Sequence, residues 1–341
     1  MKALVVQTAY LGDVILTVPM LGLLRDEVGP TDLAVLAAPA GAAFLRTQMP
    51  DRDVIPYDKR GRDGGVGGIL GIVLELRERR FDLAVVPHRS FRSAMVAALA
   101  GASERIGFDE SGGRMLLTAA VPYRTHEHEI ERIASLLDGL REERVGGEIP
   151  LALRVPDEAR NRLRERIQRH LAGTSGYVVI APGSRWATKQ WIPARFAEVC
   201  DRLAREHRAL VVLTGGVDDR QVSAEVAALA NAPPLDLTGT LEMGEWLALL
   251  EGAHLVVSND SAAAHAAAGC GAPVVAIFGP TVPAQGFAPR GGRVRIVECE
   301  MPCRPCGRHG GRRCPAGTLA CMEGVEPEDV LRAGREIARV G

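Results

Sequence analysis

Short apolar runs alternate with longer segments of helical periodicity along most of the chain. In the first half the apolar runs are ALVVQT (3–8), LAVLAA (33–38), LAVVPH (83–88) and RIGF (105–108). Helical patterns separate them, among them a helix expected from about Asp13 to Glu27 and the segment GGILGIVLELRERR (67–80). This alternation predicts βα units built on a mostly parallel sheet.

The alternation restarts after an interruption near residue 145. VGGEIPLALRVP (145–156) has no helical period, and the strongly charged helical segment DEARNRLRERIQRHL (157–171) follows it. The later apolar runs are YVVIAPGS (177–184), ALVVLTGG (209–216), PLDLTG (234–239), HLVVSN (254–259) and PVVAIFGPT (273–281). We therefore expect an α/β fold of two Rossmann-like domains, residues 1–155 and 156–341, with ligands in a cleft between the carboxyl ends of their strands.

Composition is that of a globular chain with no strong charge bias. Its 341 residues exceed the usual size of one core, 47% are hydrophobic and 24% are charged. Gln7, Gly12 and Asp13 interrupt the apolar N-terminus and no small-residue cleavage site follows, so we expect a cytoplasmic protein. A formal net charge of -1 argues against a general nucleic-acid binder.

Polar loops follow the strands of the second half. APGSRWATKQWI (181–192) carries Ser184, Thr188 and Lys189, which can donate to phosphate oxygens, and LTGGVDDR adds a glycine turn at Gly215. A flexible, solvated loop is the alternative, but two of the three tryptophans lie in 181–192 and favour an ordered one. No P-loop and no G-x-G-x-x-G is present, which disfavours a P-loop ATPase and a dehydrogenase.

The segment NDSAAAHAAAG (259–269) predicts a helix that begins directly after a strand. Asp260 or Ser261 suits the N-cap, and His265 lies one turn further on. Unpaired N–H groups and the positive end of the helix dipole suit a diphosphate there. The alternative is that Asp260 only caps the helix and His265 only packs against the sheet.

In the first half, Asp13 lies where the first strand passes into its helix. It is either a general base, ionised so that it can take a proton from an attacking hydroxyl, or an ordinary acid stabilised by the helix dipole. Arginine and lysine side chains lie in the loops DKRGR and PHRSFRS. They are candidates to bind an anionic ligand, or else form a solvated rim: Lys59, Arg60, Arg62, Arg89 and Arg92.

Eight segments, which follow one another along nearly the whole chain, form a recognisable set: QTAYLGDVILTVPML, PYDKRGRDGG, PHRSFRSA, RIGFD, HEHEIER, APGSRWATKQWI, NDSAAAHAAAGCGAPVVAIFGPT and CRPCGRHGGRRCPAGTLAC. As a set, they resemble the bacterial ADP-heptose:lipopolysaccharide heptosyltransferases (glycosyltransferase family 9), most closely the heptosyltransferase II type. The resemblance implies a GT-B fold, with the acceptor in domain 1–155 and the nucleotide sugar in domain 156–341.

The resemblance also implies a reaction and roles. The reaction would be inverting transfer of heptose from ADP-heptose to the lipopolysaccharide inner core, with Asp13 as base, Lys189 at the donor phosphates, and Asp260 and His265 in a D-[ST]-x-x-x-H element. Ala262 stands where a glycine is common. The basic residues 59–92 would hold the acidic acceptor, and catalysis would need no cofactor. A lipid-borne acceptor implies peripheral contact with the inner face of the inner membrane.

A cysteine knuckle, residues 299–321, is a separate local feature. Cys303, Cys306, Cys314 and Cys321 lie within nineteen residues that also hold Gly and Pro turns. Such spacing suits a structural Zn or Fe site, and His309 could replace one thiol. Clusters of this kind occur in the resembling family, and reduced, unliganded thiols are the alternative.

Three other functions stay open at this point. One is a GT-B transferase of another nucleotide sugar, or one that modifies a protein or a natural product. A nucleic-acid-binding protein built around the cysteine knuckle is the second, although the near-neutral charge argues against it. A Rossmann oxidoreductase is the third, disfavoured by the missing glycine fingerprint.

Overall fold

The computed structural model describes residues 1–29, 32–140 and 146–338. The chain divides into two compact units, Met1–Leu151 and Ala152–Gly341. The predicted boundary was residue 155, and the structural division lies four residues earlier, after Leu151. The N–H of Leu153 donates to the carbonyl of Gly269 (2.9 Å), which ties this segment to the second unit. Val145, with which the aperiodic interval begins, lies outside the described residues.

Unit 1 is a six-stranded parallel sheet in the order β3-β2-β1-β4-β5-β6. The strands are β1 Ala3–Gln7, β2 Leu33–Ala37, β3 Asp53–Pro56, β4 Leu83–Val86, β5 Glu104–Phe108 and β6 Ala119–Val121. The helices are α1 Leu11–Val28, α2 Pro39–Gln48, α3 Gly65–Arg79, α4 Phe91–Leu99 and α5 Glu129–Ala134.

Unit 2 repeats the same topology in the order β12-β11-β10-β7-β8-β9, again all parallel. The strands are β7 Tyr177–Ala181, β8 Leu210–Leu213, β9 Leu235–Asp236, β10 Val256–Asn259, β11 Val274–Phe278 and β12 Val294–Glu298. The helices are α6 Asp157–Ile167, α7 Pro193–His207, α8 Arg220–Leu229, α9 Met243–Gly252, α10 Ala262–Gly269, α11 Ala320–Glu323 and α12 Pro327–Ile337. The strand order reverses between β1 and β4 in unit 1 and between β7 and β10 in unit 2, and ligands of such sheets bind at these points.

The predicted parallel α/β architecture is confirmed, but three strands were not predicted. These are β3, β6 and β12, which lie at sheet edges and are partly exposed, so their sequences lack a continuous apolar run. The central strands β1, β2, β7 and β11 are buried along their full length because helices cover both faces. Helix α1 begins at Leu11 rather than Asp13, since Tyr10 already takes the extended N-cap conformation. Among the described residues, no helix is both long and apolar enough to cross a membrane.

Unit 1 contains a buried charged corner at the start of α5. The side chain of Arg132 is 2% exposed and lies 3.1 Å from the carboxylate of Glu129. It also donates to the hydroxyl of Tyr123 and to the carbonyls of Arg124 and Thr125. Burial raises the pKa of Glu129, while the Tyr123 hydroxyl and Arg132 oppose that rise. The HEHEIER segment therefore has a structural task, since it fixes the loop before α5.

We predict that Arg132→Ala destabilises the protein by about 3–5 kcal/mol, because it leaves the Glu129 carboxylate buried without its cation. Arg160→Ala is the matched control: Arg160 pairs with Glu251, but its side chain is 38% exposed, so about 0–1 kcal/mol is expected. Urea unfolding followed by far-UV circular dichroism measures both. Equal effects of the two substitutions would contradict the structural role of Arg132.

Candidate active site

The loops after β7, β8, β10 and β11 all leave the sheet of unit 2 at the carboxyl ends of its strands. This end of the sheet is here called the donor edge. Each loop carries a polar residue of interest: Lys189, Asp219, Asp260 and Thr281. Because the strands are parallel, their carboxyl ends meet at this edge. The sheet therefore collects these side chains from segments far apart in sequence.

Asp260 is the centre of this cluster. Its Oδ2 atom accepts a hydrogen bond from Lys189 Nζ at 2.5 Å and another from Thr281 Oγ1 at 2.6 Å. Asp260 is 7% exposed and the Lys189 side chain 13%. A carboxylate at this depth needs such donors, since burying an unpaired charge is costly. The pair holds one ammonium group at the donor edge. Thr281 was not among the site residues predicted from the sequence.

Helix α10 begins beside this cluster. Ser261 is its N-cap and its Oγ atom accepts from the N–H of Ala263 (3.3 Å), as predicted for this position, and Ser258 Oγ lies 3.0 Å from Ser261 Oγ. His265 is buried one turn further along. The alanines keep side chains small at this helix end, so its first N–H groups can approach a bound anion closely.

Asn259 fastens the β7 loop to β10, a contact that the sequence analysis also missed. Its side-chain oxygen accepts a hydrogen bond from the backbone N–H of Trp191 (3.0 Å), and its side-chain amide nitrogen donates to the carbonyl of Pro182 (2.7 Å). Trp191 is fully buried, packs edge-on against Phe196 and donates from Nε1 to the carbonyl of Val325. These hydrogen bonds and the buried Trp191 ring hold the β7 loop in one conformation, as the two tryptophans in its sequence predicted.

Gly215 lies where the β8 loop passes close to Asp219. A Cβ atom at Gly215 would lie 2.7 Å from the Asp219 carboxylate, and one at Gly183 would lie 2.1 Å from it. Asp219 Oδ2 accepts from the N–H of Gly216 (2.8 Å). Only glycines at 183 and 215 leave room for this carboxylate.

The two hydroxyl residues of the β7 loop differ in their surroundings. The backbone carbonyl of Ser184 accepts from the side chain of Gln190 (3.0 Å), which fixes the turn. Thr188 is buried, and its Oγ1 atom donates to the carbonyl of Gly311 (3.0 Å) and accepts from the N–H of Gly311 (2.8 Å). Thr188 thus bonds to the cysteine knuckle, and its phosphate-binding role stays a prediction.

The cysteine knuckle also holds the β11 loop. Arg304 donates to the carbonyls of Gly279 and Thr281, and the N–H of Cys306 donates to the carbonyl of Pro280 (2.9 Å). Because Thr281 binds Asp260 directly and Thr188 adjoins Lys189, the knuckle braces both loops that supply partners to Asp260. Arg304 was not among the predicted site residues.

Four thiols of the knuckle line one cavity of about 70 Å³, to which Thr188 also contributes. The pKa of Cys314 is lowered by hydrogen bonds from backbone N–H groups, that of Leu319 first. Burial raises the pKa of Cys306, and its Sγ atom donates to the carbonyl of Cys303 (3.3 Å). In the described part of the chain, no three His, Cys, Asp or Glu side chains are close enough together to hold a metal ion.

In unit 1, Asp13 lies in the first turn of α1, at the carboxyl end of β1. Lys59 reaches the same end of β1, where its Nζ atom donates to the carbonyl of Thr8 (2.7 Å) and lies 3.2 Å from Thr8 Oγ1. Burial lowers the pKa of Lys59, Arg60 and Arg92 lower it further, and Asp13 opposes them. An acid and a lysine therefore share this edge.

The predicted basic residues do not form one cluster. Arg60 lies over the ring of Tyr10 (4.7 Å), and Arg92 donates to the carbonyl of Lys59 (3.3 Å), so both adjoin the Asp13 edge. Arg89 instead stacks on Tyr123 at 3.8 Å and pairs with Glu110, while Arg62 pairs with Asp63 on the surface.

His88, which follows β4, is a further group that the sequence analysis missed. Its Nδ1 atom lies 3.0 Å from Ser93 Oγ and 3.2 Å from Thr8 Oγ1. Burial, with Lys59 and Arg89 nearby, lowers its pKa from 6.5 to about 4. The imidazole is thus neutral near pH 7 and lies at the point where the strand order reverses. Its position after β4 is the only signal in the sequence that could have found it.

The chain belongs to glycosyltransferase family 9 (heptosyltransferase), whose family model matches residues 70–314. It is a glycosyltransferase. Lipopolysaccharide heptosyltransferase 2 of Escherichia coli K12 is 26% identical over 297 residues, 83% of this chain and 84% of that protein. Lipopolysaccharide heptosyltransferase 1 of Pseudomonas aeruginosa is 28% identical over 327 residues, 90% and 86% of the two chains.

Solved structures agree with the fold. A family 9 glycosyltransferase from Veillonella parvula superposes with a TM-score of 0.84 at 22% identity, covering 98% of this chain and 97% of its own. ADP-heptose heptosyltransferase II of E. coli gives 0.79 at 23% identity, covering 99% and 98%. The iron-containing glycosyltransferase TibC of enterotoxigenic E. coli gives 0.59 at 16%, covering 98% and 76%. The chain has the α/β GT-B-like fold of these proteins.

The lowered pKa of His88 predicts a pH dependence of stability. Because the unfolded chain binds a proton at about pH 6.5 and the folded one only near 4, the free energy of unfolding should fall as pH is lowered through this window. His88→Gln should flatten that part of the curve. His126→Gln, at an 80% exposed side chain, should leave it unchanged, and urea unfolding at a series of pH values measures both. A wild-type slope retained in His88→Gln would show that another group is responsible.

Proposed function

We propose that this enzyme transfers heptose from ADP-heptose to the inner core of lipopolysaccharide. The family membership and the names of its relatives support this substrate class. The observation that carries it is the Lys189–Asp260–Thr281 cluster beside the N-terminus of α10. A fixed ammonium group next to the positive end of a helix dipole suits the diphosphate of a nucleotide sugar.

The donor is held by unit 2 in this proposal. Lys189 and the first N–H groups of α10 bind the diphosphate oxygens, and Ser261 keeps that helix end in place. Asp260 positions Lys189, and His265 orients the donor from the next turn. Ser184, Thr188 and Gly215 shape the loops around the nucleotide.

The chemical step is a single displacement with inversion. The acceptor hydroxyl oxygen bonds to the anomeric carbon as the bond from that carbon to the ADP oxygen breaks, and Asp13 takes the hydroxyl proton. Negative charge grows on the leaving diphosphate, where Lys189 and the N–H dipoles stabilise it. The step therefore draws on side chains and backbone of this chain and uses no cofactor.

The acceptor is held by unit 1. The inner core is anionic in this proposal, and Lys59, Arg60 and Arg92 at the Asp13 edge provide the opposite charge. Arg62 and Arg89 are paired with Asp63 and Glu110 and would contact other acceptor groups. Neutral His88 fixes Thr8, to which Lys59 is bonded, and so positions Lys59.

We predict that ADP, and not GDP or UDP, stabilises the protein against heat, by about 2.7 kcal/mol at ~100 times its dissociation constant. Lys189→Met should weaken ADP binding about 10- to 100-fold, because a charge-assisted hydrogen bond is lost. The chain has only two other lysines, and exposed Lys2→Met serves as control. Stabilisation by UDP or GDP alone would point to a transferase of another nucleotide sugar.

Asp13→Asn should separate catalysis from binding. We expect turnover to fall by about 10²–10⁴-fold, since a general base is lost, while the thermal shift with ADP stays at its wild-type size. Asp26→Asn, at an exposed carboxylate on the same helix, is the control. The assay is ADP release with ADP-heptose and a heptose-deficient core saccharide. Normal turnover in Asp13→Asn would remove it from the catalytic role.

We also propose that the cysteine knuckle binds a structural Zn or Fe ion. Four thiols line one small cavity, and backbone N–H groups converge on the sulfur of Cys314. Because no three of the described thiols are close enough together to hold an ion as they stand, binding would have to draw them inward to the tetrahedral spacing. Cys303, Cys306, Cys314 and Cys321 would hold it. The ion would stabilise the knuckle, and thereby the β7 and β11 loops that the knuckle braces.

Elemental analysis of the purified protein tests this. We expect about one Zn or Fe per chain, lost in Cys303→Ser and Cys314→Ser and kept in Cys270→Ser, whose thiol lies outside the knuckle. The first two variants should also bind ADP more weakly, since Thr188 and Arg304 lose their fixed partners. Metal-free wild-type protein with full ADP affinity would refute the proposal.

A further inference from the structure

Helix α3 exposes an apolar stripe of three side chains: Val66, Leu70 and Leu74. They are 83%, 56% and 54% exposed. Their spacing of four residues places them on one face, and residues 64–74 contain no charged residue. Two further exposed apolar side chains, Phe91 and Met115, lie on the neighbouring elements, since α3 packs on α4 and α4 on the turn at 114–116.

The α3 stripe lies at the same sheet edge as Asp13. Helix α3 follows β3 and leads back to β4, so its N-terminus lies near the carboxyl ends of the strands. The loop that precedes it carries Lys59, whose Nζ atom reaches the carbonyl of Thr8 at the end of β1. Surface contact by the stripe would therefore occur beside the candidate acceptor edge.

Basic side chains border the α3 stripe. Residues 57–80 contain six Lys and Arg residues and four Asp and Glu residues. This segment is therefore positively charged, whereas the whole chain has a formal net charge of -1. Two of the acids serve the loop itself: Asp58 accepts from the N–H of Gly61 (2.9 Å), and Asp63 from that of Asp58 (2.8 Å). The side chain of Arg62 is 78% exposed and pairs with Asp63 (3.0 Å), and Arg79 pairs with Glu75 (2.7 Å), so the positive excess of the segment comes from its other basic residues.

We propose that the α3 stripe and its basic border dock on a bilayer that contains anionic lipid. Leucine and valine side chains enter the interfacial region, and the arginines meet the headgroup phosphates. A second copy of the chain fits less well, because a symmetric contact would bring the same cations together. The proposal rests on the proposed function, in which the acceptor saccharide is carried by a lipid.

Vesicle sedimentation tests the docking without any substrate. The wild-type protein should bind vesicles with about one-third phosphatidylglycerol more tightly than pure phosphatidylcholine vesicles, and ~1 M salt should weaken that binding. Leu70→Glu/Leu74→Glu should lower the partition coefficient at least ~10-fold. Leu229→Glu, at an equally exposed apolar residue of α8 (50%), should not.

Transfer to a soluble, lipid-free core saccharide separates this proposal from the proposed function. The double variant should keep wild-type turnover in that assay, since neither leucine belongs to the candidate site. Vesicle binding that is absent in the wild type, or unchanged in the double variant, overturns the docking proposal. A dimer in sedimentation velocity that the double variant dissociates would assign the stripe to a second copy instead. Vesicle binding without any transfer would leave docking intact and refute the proposed reaction.

Discussion

The buried carboxylate of Asp260 is the constraint on which the donor edge depends. A carboxylate that is shielded from water needs hydrogen-bond donors. Among the contacts described for this carboxylate, two side chains donate to it, Lys189 and Thr281. They come from the loops after β7 and β11, so both loops must converge on the end of β10. The Lys189 ammonium group, which we propose binds the donor diphosphate, is thereby held in place before any ligand arrives, and this reduces the reorganisation that binding would require.

The cysteine knuckle supports this arrangement from the other side. Thr188 and Arg304 carry its hydrogen bonds to the β7 and β11 loops, and the ring of His309 stacks on Trp186. A segment that follows the last strand in sequence thus sets the position of residues more than a hundred places earlier. The knuckle is therefore a structural support of the β7 and β11 loops, and the cysteines take no part in the reaction proposed here.

The sequence pattern predicted the interior of the fold well and its margins poorly. Buried strands such as β1 and β7 show as apolar runs because both faces are covered, whereas β3, β6 and β12 are short edge strands with mixed sequences. Asp260, which follows β10 directly, and Lys189, in the polar loop after β7, could be proposed from their local context. Thr281, Asn259 and His88 also lie at or near strand ends, but their importance depends on partners in other loops, and those contacts exist only after the sheet has formed.

Both sheets have the same strand order, counted from the first strand of each unit. After the first strand stands Asp13 in one unit and the Lys189 loop in the other, and after the fourth strand stand His88 and Asp260. The chain is in this sense a doubled scaffold whose equivalent positions have diverged in charge. One unit carries a carboxylate where the other carries an ammonium group, so a single architecture supplies the two opposite charges that the proposed group transfer uses.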